Sequence, residues 1–409
     1  MAAGGTSLTT LASILKIRYP QKKLASMNYA DAAMLGMVGR DESFGGKQTN
    51  IAVNYGRSQG SMVFSTAQTN ASSDDDVAFA VTRAKDYHVC TMSAESILAA
   101  KGNADSIVNG LDRAMENAKL SFKRSISAQL FRNGGGARGQ VSGGVTTATM
   151  TITEPNDAVF FETNMYLNAS TADGTSGAIR TGSERIAGVN RGATTATLTS
   201  TSATWDTVIT AIAANDYLFR AGDFGIAAKG LDAWLPGTAP TSGDSFFGVD
   251  RSVDPVRLAG CRFAATAGSS KEDTLIDAAA YLGREGGTPD TVFCHNSDRR
   301  DIIKSLGSKV VYDKTKSATD ASFSFKSVSL ETDGGTLQVV PDPNCPKGVF
   351  YMLDMSTWKI GSLGGVPHYA DDDTNKMLRQ STADGVEWRL RAFWQLYTDA
   401  PGKNLRGTF

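Results

Sequence analysis

From residue 107 onward the apolar positions fall at Ile107, Leu111, Ala114, Met115, Ala118, Phe122, Ile126 and Leu130. Steps of three and four draw one stripe along a helix, with Asp112, Arg113, Glu116, Lys119, Lys123 and Arg124 on the other side. Ser93 is the predicted N-cap, Glu95 sits in the positive first turn, and Gly134, Gly135 and Gly136 stop the helix. Residues 107–132 alone would make a rod of about 40 Å, weakened in its first half by Gly102 and Gly110. A long helix with one apolar face must lie on a partner, and a sheet from elsewhere in the chain is the predicted bed.

Upstream, the pattern changes to alternation: Ile51, Val53 and Tyr55, then Met62 and Phe64, then Val77, Phe79 and Val81. That predicts a long hairpin with a polar tip at residues 68–76, which holds Asp74, Asp75 and Asp76. Such a hairpin is marginal alone and needs a partner surface. Before it, residues 1–37 hold a short amphipathic piece (8–17), a break at Pro20, and too little apolar content for a core, so they read as an extended arm.

Downstream, residues 140–204 are rich in Thr, Ser, Ala and Gly, with strand-like pieces at 148–153, 159–161 and 193–198 and turns at 173–174 and 190–192. Residues 205–264 are mixed, and Trp234, Pro236 and Pro240 suggest a packed surface loop. A compact α+β pattern follows: a helix at 273–284, a strand at 291–293, a helix capped by Ser297 and ending near Gly307, then strands at 310–312, 337–340 and 349–353. The last strong signal is strict alternation from Val386 to Tyr397. If this strand lies under the long helix, Trp388, Leu390 and Trp394 face Leu111, Ala118, Phe122 and Ile126, while Arg389 and Arg391 point away.

At 409 residues the chain is long enough for more than one lobe. Lys plus Arg number 41 and Asp plus Glu 42, a formal charge of -1, which argues against a dedicated nucleic-acid reader with a basic face. Cys90, Cys261, Cys294 and Cys345 have no CxxC spacing and are too few for a disulfide framework, so reduced thiols and a cytoplasmic origin are expected. No apolar run reaches membrane-spanning length, and a soluble protein is expected.

Catalytic signals are thin. Residues 56–60 match the nucleophile-elbow pattern around Ser58, but that elbow needs a helix after it and residues 61–64 read as strand. Gly134, Gly136 and Gly139 match a dinucleotide fingerprint, yet they end a helix instead of opening one. Asp371, Asp373 and Asn375 resemble the start of a calcium loop, but Lys376 replaces its glycine and Thr382 its bidentate Glu. His88, His295 and His368 lack metal spacing, and Cys294 beside His295 cannot form a dyad because strand neighbours point to opposite faces. No catalytic, cofactor-binding or metal site is expected.

Taken in order, arm, hairpin, long helix, β-rich stretch, α+β lobe and returning strand resemble the major capsid proteins of tailed bacteriophages, the Hong Kong 97 type of fold. The phrases LKIRYPQKKLASMNY and DESFGGKQTNIAVNYGRSQGSMVFSTAQTN are similar to the N-arm and E-loop of one branch of that family. LIDAAAYLGREGGTPDTVFCHNSDRRDIIKSLGSK is similar to its A-domain unit, and VEWRLRAFWQLYTDAPG to the strand that returns to its P-domain. The resemblance implies an α+β fold divided into an N-terminal arm (1–38), E-loop hairpin (39–90), spine helix of the P-domain (91–139), P-domain continuation with a β-rich insertion (140–266), A-domain (267–370) and return to the P-domain (371–409). It also implies a self-assembling icosahedral shell of hexamers and pentamers around double-stranded DNA. Expected partners are further copies, a portal, a decoration or cement protein, and a separate scaffolding protein, the last because the arm starts within a few residues of Met1. The virion capsid is the expected location, after assembly in the host cytoplasm. An encapsulin-type compartment of the same fold is the alternative, and a hydrolase using Ser58 or Cys294 the alternative of another class.

Overall fold

The computed structural model describes residues 33–57, 62–69, 74–95, 104–306, 328–332, 335–370, 378–380 and 383–409. The long helix spans Ala104–Gln129. Its side chains are described from Asn117 onward, so those of Ile107, Leu111, Ala114 and Met115 in the predicted stripe lie outside the described residues. Ala118, Phe122 and Ile126, with Leu130 just beyond the helix, are buried as the periodicity predicts. Their bed is a six-stranded sheet centred on the return strand Gly385–Thr398. That strand pairs antiparallel with Ala84–Ser93 along its first part and with Trp358–Ser362 along its last. Leu390, Ala392, Trp394 and Leu396 share one core with Ala118, Phe122, Ile126 and Leu130, and Trp388 is buried beside them on the same strand face. Arg389 is exposed on the other face, bonded to Glu387.

Beyond Trp394 both faces of the strand are covered. The Gln395 side chain donates to the Lys229 carbonyl (2.7 Å) and accepts from the Lys229 N–H (3.3 Å), and Tyr397 Oη–H donates to Asp41 (2.7 Å). Asp41, in the parallel edge strand Gly39–Asp41, also accepts from the Ser43 hydroxyl (2.5 Å) and backbone N–H (3.0 Å). The Ser43 hydroxyl and then Tyr397 hold its carboxyl below the ordinary value of 3.8. A carboxyl so lowered contributes stability above its unfolded pKa and loses it as pH falls through the folded one. Urea melts should therefore show wild type weakening below about pH 4, with a shallower acid limb in Asp41→Asn.

Ser93 ends the strand Ala84–Ser93 opposite Gly385 and directly precedes the helical residues Ala94 and Glu95, the place that the predicted N-cap should have. The hairpin is Thr49–Gly56 against Asp75–Val81. Asp75 and Asp76 belong to the strand and not to the tip, and Met62 and Phe64 are not strand: Phe64–Thr69 is a short helix. Nor does Ser297 cap the helix Asn296–Leu306; the His295 carbonyl receives its first bonds, from the Asp298 and Arg299 N–H groups. The predicted strand at 310–312 lies outside the described residues.

The β-rich stretch closes on itself. Tyr217–Arg220, Ala137–Gly143, Thr149–Ile152, Ala196–Ser200, Glu184–Arg191 and Tyr166–Ser170 pair in that order into a barrel filled by Val141, Met150, Leu167, Ile186, Leu198 and Trp205. The predicted strand at 159–161 falls instead on a 3-10 helix, Pro155–Phe160, and the predicted turn at 190–192 lies at the end of the strand Glu184–Arg191. The glycine run that ends the long helix also lets the barrel approach: a Cβ on Gly135 would lie 2.1 Å from the Asp173 carbonyl oxygen.

The α+β lobe is a second six-stranded sheet, in the order Cys261–Ala264, Leu405–Thr408, Val349–Leu353, Thr291–Cys294, Gly335–Pro341 and Val328–Thr332. One face packs under the helices Lys271–Arg284 and Asn296–Leu306 through Leu275, Leu282, Val292, Ile302, Val339 and Met352. The other turns Phe293, Tyr351 and Leu353 into the core shared with the long helix. The chain's last strand, Leu405–Thr408, lies in this sheet and not in that of the return strand.

Candidate assembly surfaces

Residues that a lone subunit buries fix the root of the hairpin. Ile51, Val53, Phe79 and Val81 enter the main core, so at its base the hairpin finds within the subunit the partner surface that it needs. The partner is an aromatic cluster that sequence patterning missed. Trp234, predicted in a surface loop, lies on the four-residue helix Leu231–Trp234 and is fully buried, with Phe79 at 5.2 Å, Phe246 at 5.0 Å and Trp358 at 6.5 Å between ring centroids. The Phe247 carbonyl accepts from the Ala80 N–H (2.9 Å), adding a backbone tie. Lys229 and Arg251 cover Phe246 from outside, at 4.8 and 4.1 Å from its centroid. Arg83 donates to the Phe44 and Gly46 carbonyls, and Arg257 to that of Tyr55.

Farther out the hairpin has no such cover among the described residues. The tip helix Phe64–Thr69 buries none of its residues; Val63 is 71% and Phe64 81% exposed, with Met62 beside them. A second apolar patch lies on the sheet face turned away from the long helix: Tyr87 and Val89 are about half exposed, and Tyr87 stacks edge-on against Phe393 at 5.7 Å. Arg389 and Glu387 pair beside it, and Arg391 Nε donates to His368 Nε2 (3.0 Å). His368 Nδ1 faces the Gly365 carbonyl at 2.7 Å, which fixes the ring between that carbonyl and Arg391. Large apolar groups held in water on two elements mark surfaces that another molecule covers.

Among the described residues, those singled out for chemistry do not converge. Cys294 is buried in its strand, and burial pushes its thiol up to about 12, so it stays protonated at neutral pH. His295 Nδ1 accepts from the Ser297 N–H (3.1 Å) and meets its hydroxyl at 2.7 Å, which turns the ring to its own helix start. His88 is partly buried, and burial, then Arg220, lowers its pKa. Ser58 lies outside the described residues, as do Asp371, Asp373, Asn375, Lys376 and Thr382. Met62 and Val63 are not strand as predicted, and the helix Phe64–Thr69 that follows them is solvent-exposed throughout. Gly134 and Gly136 follow the long helix with positive φ, as helix-stop residues do. Among the described residues no cluster of His, Cys, Asp or Glu could hold a metal, and no helix is long and apolar enough to cross a membrane.

Residues 111–376, from within the long helix through the barrel and the α+β lobe, match the SU10 major capsid protein family. The chain belongs to this family. It is a major capsid protein of the tailed-phage type, a subunit of the icosahedral shell that encloses double-stranded DNA in the virion. Its architecture is that of the cyanophage A-1(L) capsid subunit, with a TM-score of 0.52 at 14% identity over 95% of each chain. A chain of the Mycobacterium phage Che8 structure overlaps 96% of each chain at 10% identity, with a TM-score of 0.44. No curated protein sequence matches the chain. The Hong Kong 97 type of fold expected from the sequence is thus the fold observed, and neither the compartment nor the hydrolase alternative is favoured.

Proposed function

We propose that the capsid protein assembles in the host cytoplasm with the aid of a scaffolding protein, receives a portal at one vertex, and contacts packaged DNA without reading its sequence. A decoration or cement protein on the finished shell is part of the same reading. The arm (residues 1–38) and the hairpin reach into neighbouring subunits; the barrel is an insertion; the lobe from about residue 267 is the A-domain. In this division the hairpin ends at Val81, because Ala84–Ser93 is a strand of the sheet under the long helix. The role is structural, with no catalytic step.

The observation that carries this reading is the apolar tip at Val63 and Phe64, which no part of the subunit covers among the described residues. A neighbouring subunit's surface is the cover that a closed shell supplies to every copy. Electron microscopy of the protein co-expressed with its scaffold should show closed particles, and native particles should contain DNA and not an enzyme cargo. Monomers under all assembly conditions would overturn the reading. Limited proteolysis gives a second test: cleavage should fall between Gly56 and Asp75 in free subunits and slow by at least about tenfold in shells. Equal rates in the two states would remove the hairpin from the subunit interface.

A further inference from the structure

The α+β lobe carries two surface depressions of opposite charge. One, of about 280 Å³, lies between the helix Lys271–Arg284 and the edge strand Val328–Thr332, and Ile276, Ala280 and Glu331 line it. Asp273 and Asp277 are exposed at helical spacing around Ile276, which is itself 42% exposed. Among the described residues Asp273, Asp277 and Glu331 make no ion pair. The other, of about 530 Å³, runs along the helix Asn296–Leu306, where Arg299, Arg300 and Lys304 surround an apolar floor of Ile303, Pro341 and Pro343. Among the described residues Arg300 pairs only with its neighbour Asp301 (3.0 Å), and the exposed Lys304 makes no ion pair.

We propose that these are the two halves of one contact: the acidic face of Lys271–Arg284 in one copy seats in the basic groove of Asn296–Leu306 in the next. The inference deepens the shell reading and rests on it. Ile276 supplies an apolar centre for the floor of Ile303 and the two prolines, and the carboxylates around it meet Arg299, Arg300 and Lys304. Charges at the rim of such a contact fix orientation and reject wrong partners. Because the two patches differ, the contact is head-to-tail, and repeated by rotation it closes a ring.

The N-terminal segment fits the groove poorly, although it leaves nearby: Asp342, between the two groove prolines, accepts from the Met34 N–H (3.2 Å) at the start of the helix Ala33–Met37. Residues 1–32 carry Lys16, Arg18, Lys22 and Lys23 against Asp31 alone, so three cations would repel them. Duplex DNA would suit the groove but leaves the acidic face without a role.

The test is a charge reversal on each side. One full-length variant carries Arg300→Glu with Lys304→Glu, the other Asp273→Lys with Asp277→Lys, and ring and shell formation is followed by native mass spectrometry and microscopy. Each variant alone should lose about tenfold or more in assembled product, with an unchanged denaturant melt. Combined in one chain, the four reversals should recover to within about threefold of wild type, since every copy then again offers a face that its neighbour's groove needs, in rings of five and of six alike. A misfolded variant could not be rescued by adding the second reversal, so recovery reports the contact itself. No recovery, or assembly untouched by either reversal, would overturn the inference while wild-type shells left the capsid reading intact. Loss confined to the arginine–lysine variant would assign the groove to DNA and also overturn it. Failure of wild type to assemble at all would sink both.

Discussion

Trp234→Ala is expected to cost the subunit about 3–5 kcal/mol of unfolding free energy, the usual range for deleting a fully buried large aromatic. The indole sits where three elements meet: Phe79 of the hairpin, Phe246 of the small strand pair Ser245–Phe246 and Val249–Asp250, and Trp358 of the main sheet all pack against it. Its Nε1–H donates to the Leu396 carbonyl of the return strand (2.9 Å). Deletion leaves a cavity that backbone on several sides cannot close. Trp234→Phe should cost less, because it keeps most of the apolar area. It loses one bond to a carbonyl that the Gln395 side chain also reaches (3.1 Å), a loss of about 1 kcal/mol. Urea melts measure both, and proteolysis supplies the structural signature: in Trp234→Ala the strands Thr49–Gly56 and Asp75–Val81 should become cleavable in folded subunits. A loss below about 1 kcal/mol for the alanine variant would mean that the hairpin root is held by its backbone ties alone.

That anchor is hidden from the sequence, and the reason is physical. Periodicity reports elements long enough to repeat a face. The return strand, alternating through Trp388, Leu390, Ala392 and Trp394, sorts correctly into buried and exposed sides, and the stripe Ala118, Phe122, Ile126 and Leu130 falls on its core face. Trp234 sits on a helix of only four residues between glycine and proline, where no face repeats, so composition suggests a loop. Ser93 shows the opposite case, a boundary that one residue type announces: the strand paired with the return strand ends on it, and helix follows at Ala94 and Glu95. Met62, Val63 and Phe64 read as strand because apolar residues in a short run carry no period of their own; their exposure on the hairpin tip, on which the proposed assembly contact rests, is a feature that pattern reading passes over. Closure of the barrel depends on the pairing of Tyr166–Ser170 with Tyr217–Arg220 and of that strand with Ala137–Gly143, contacts between distant segments that local composition does not encode. The family resemblance reaches the order of the parts, while these long-range pairings set where the parts end.

Asp223→Ala should be the other costly change, at about 3–5 kcal/mol, because it leaves two arginines facing each other with too little opposite charge. Asp223 follows the barrel strand Tyr217–Arg220 and accepts from Arg138 Nη2 (2.9 Å) and from Arg220 Nε (3.1 Å) and Nη2 (2.8 Å). The arginines carry the join outward: Arg138 also reaches the Ser125 hydroxyl of the long helix (3.3 Å), and Arg220 lies 3.7 Å from Asp86 on the strand Ala84–Ser93. Gln129 of the helix then donates to Asp86 (3.1 Å), so one carboxylate at the barrel's edge balances a network spanning barrel, helix and sheet. Burial pulls the Arg138 guanidinium below its ordinary pKa. For Arg220 burial acts the same way, but Asp223 and Asp86 outweigh it and raise the value. Without Asp223, Asp86 alone would face both, and its own carboxyl is held above the ordinary range by burial before any cation acts on it. Because the groups are mostly out of water, salt should not hide the loss: the difference from wild type should persist between low and high ionic strength. Asp223→Asn, which keeps the shape and removes the charge, should behave like the alanine variant and not like wild type. Denaturant melts at two salt concentrations decide the matter. If Asp223→Ala melts within about 1 kcal/mol of wild type, or if salt alone abolishes the difference, the barrel is fastened by the close backbone approach at Gly135 and Gly174 and the charge network is incidental to it.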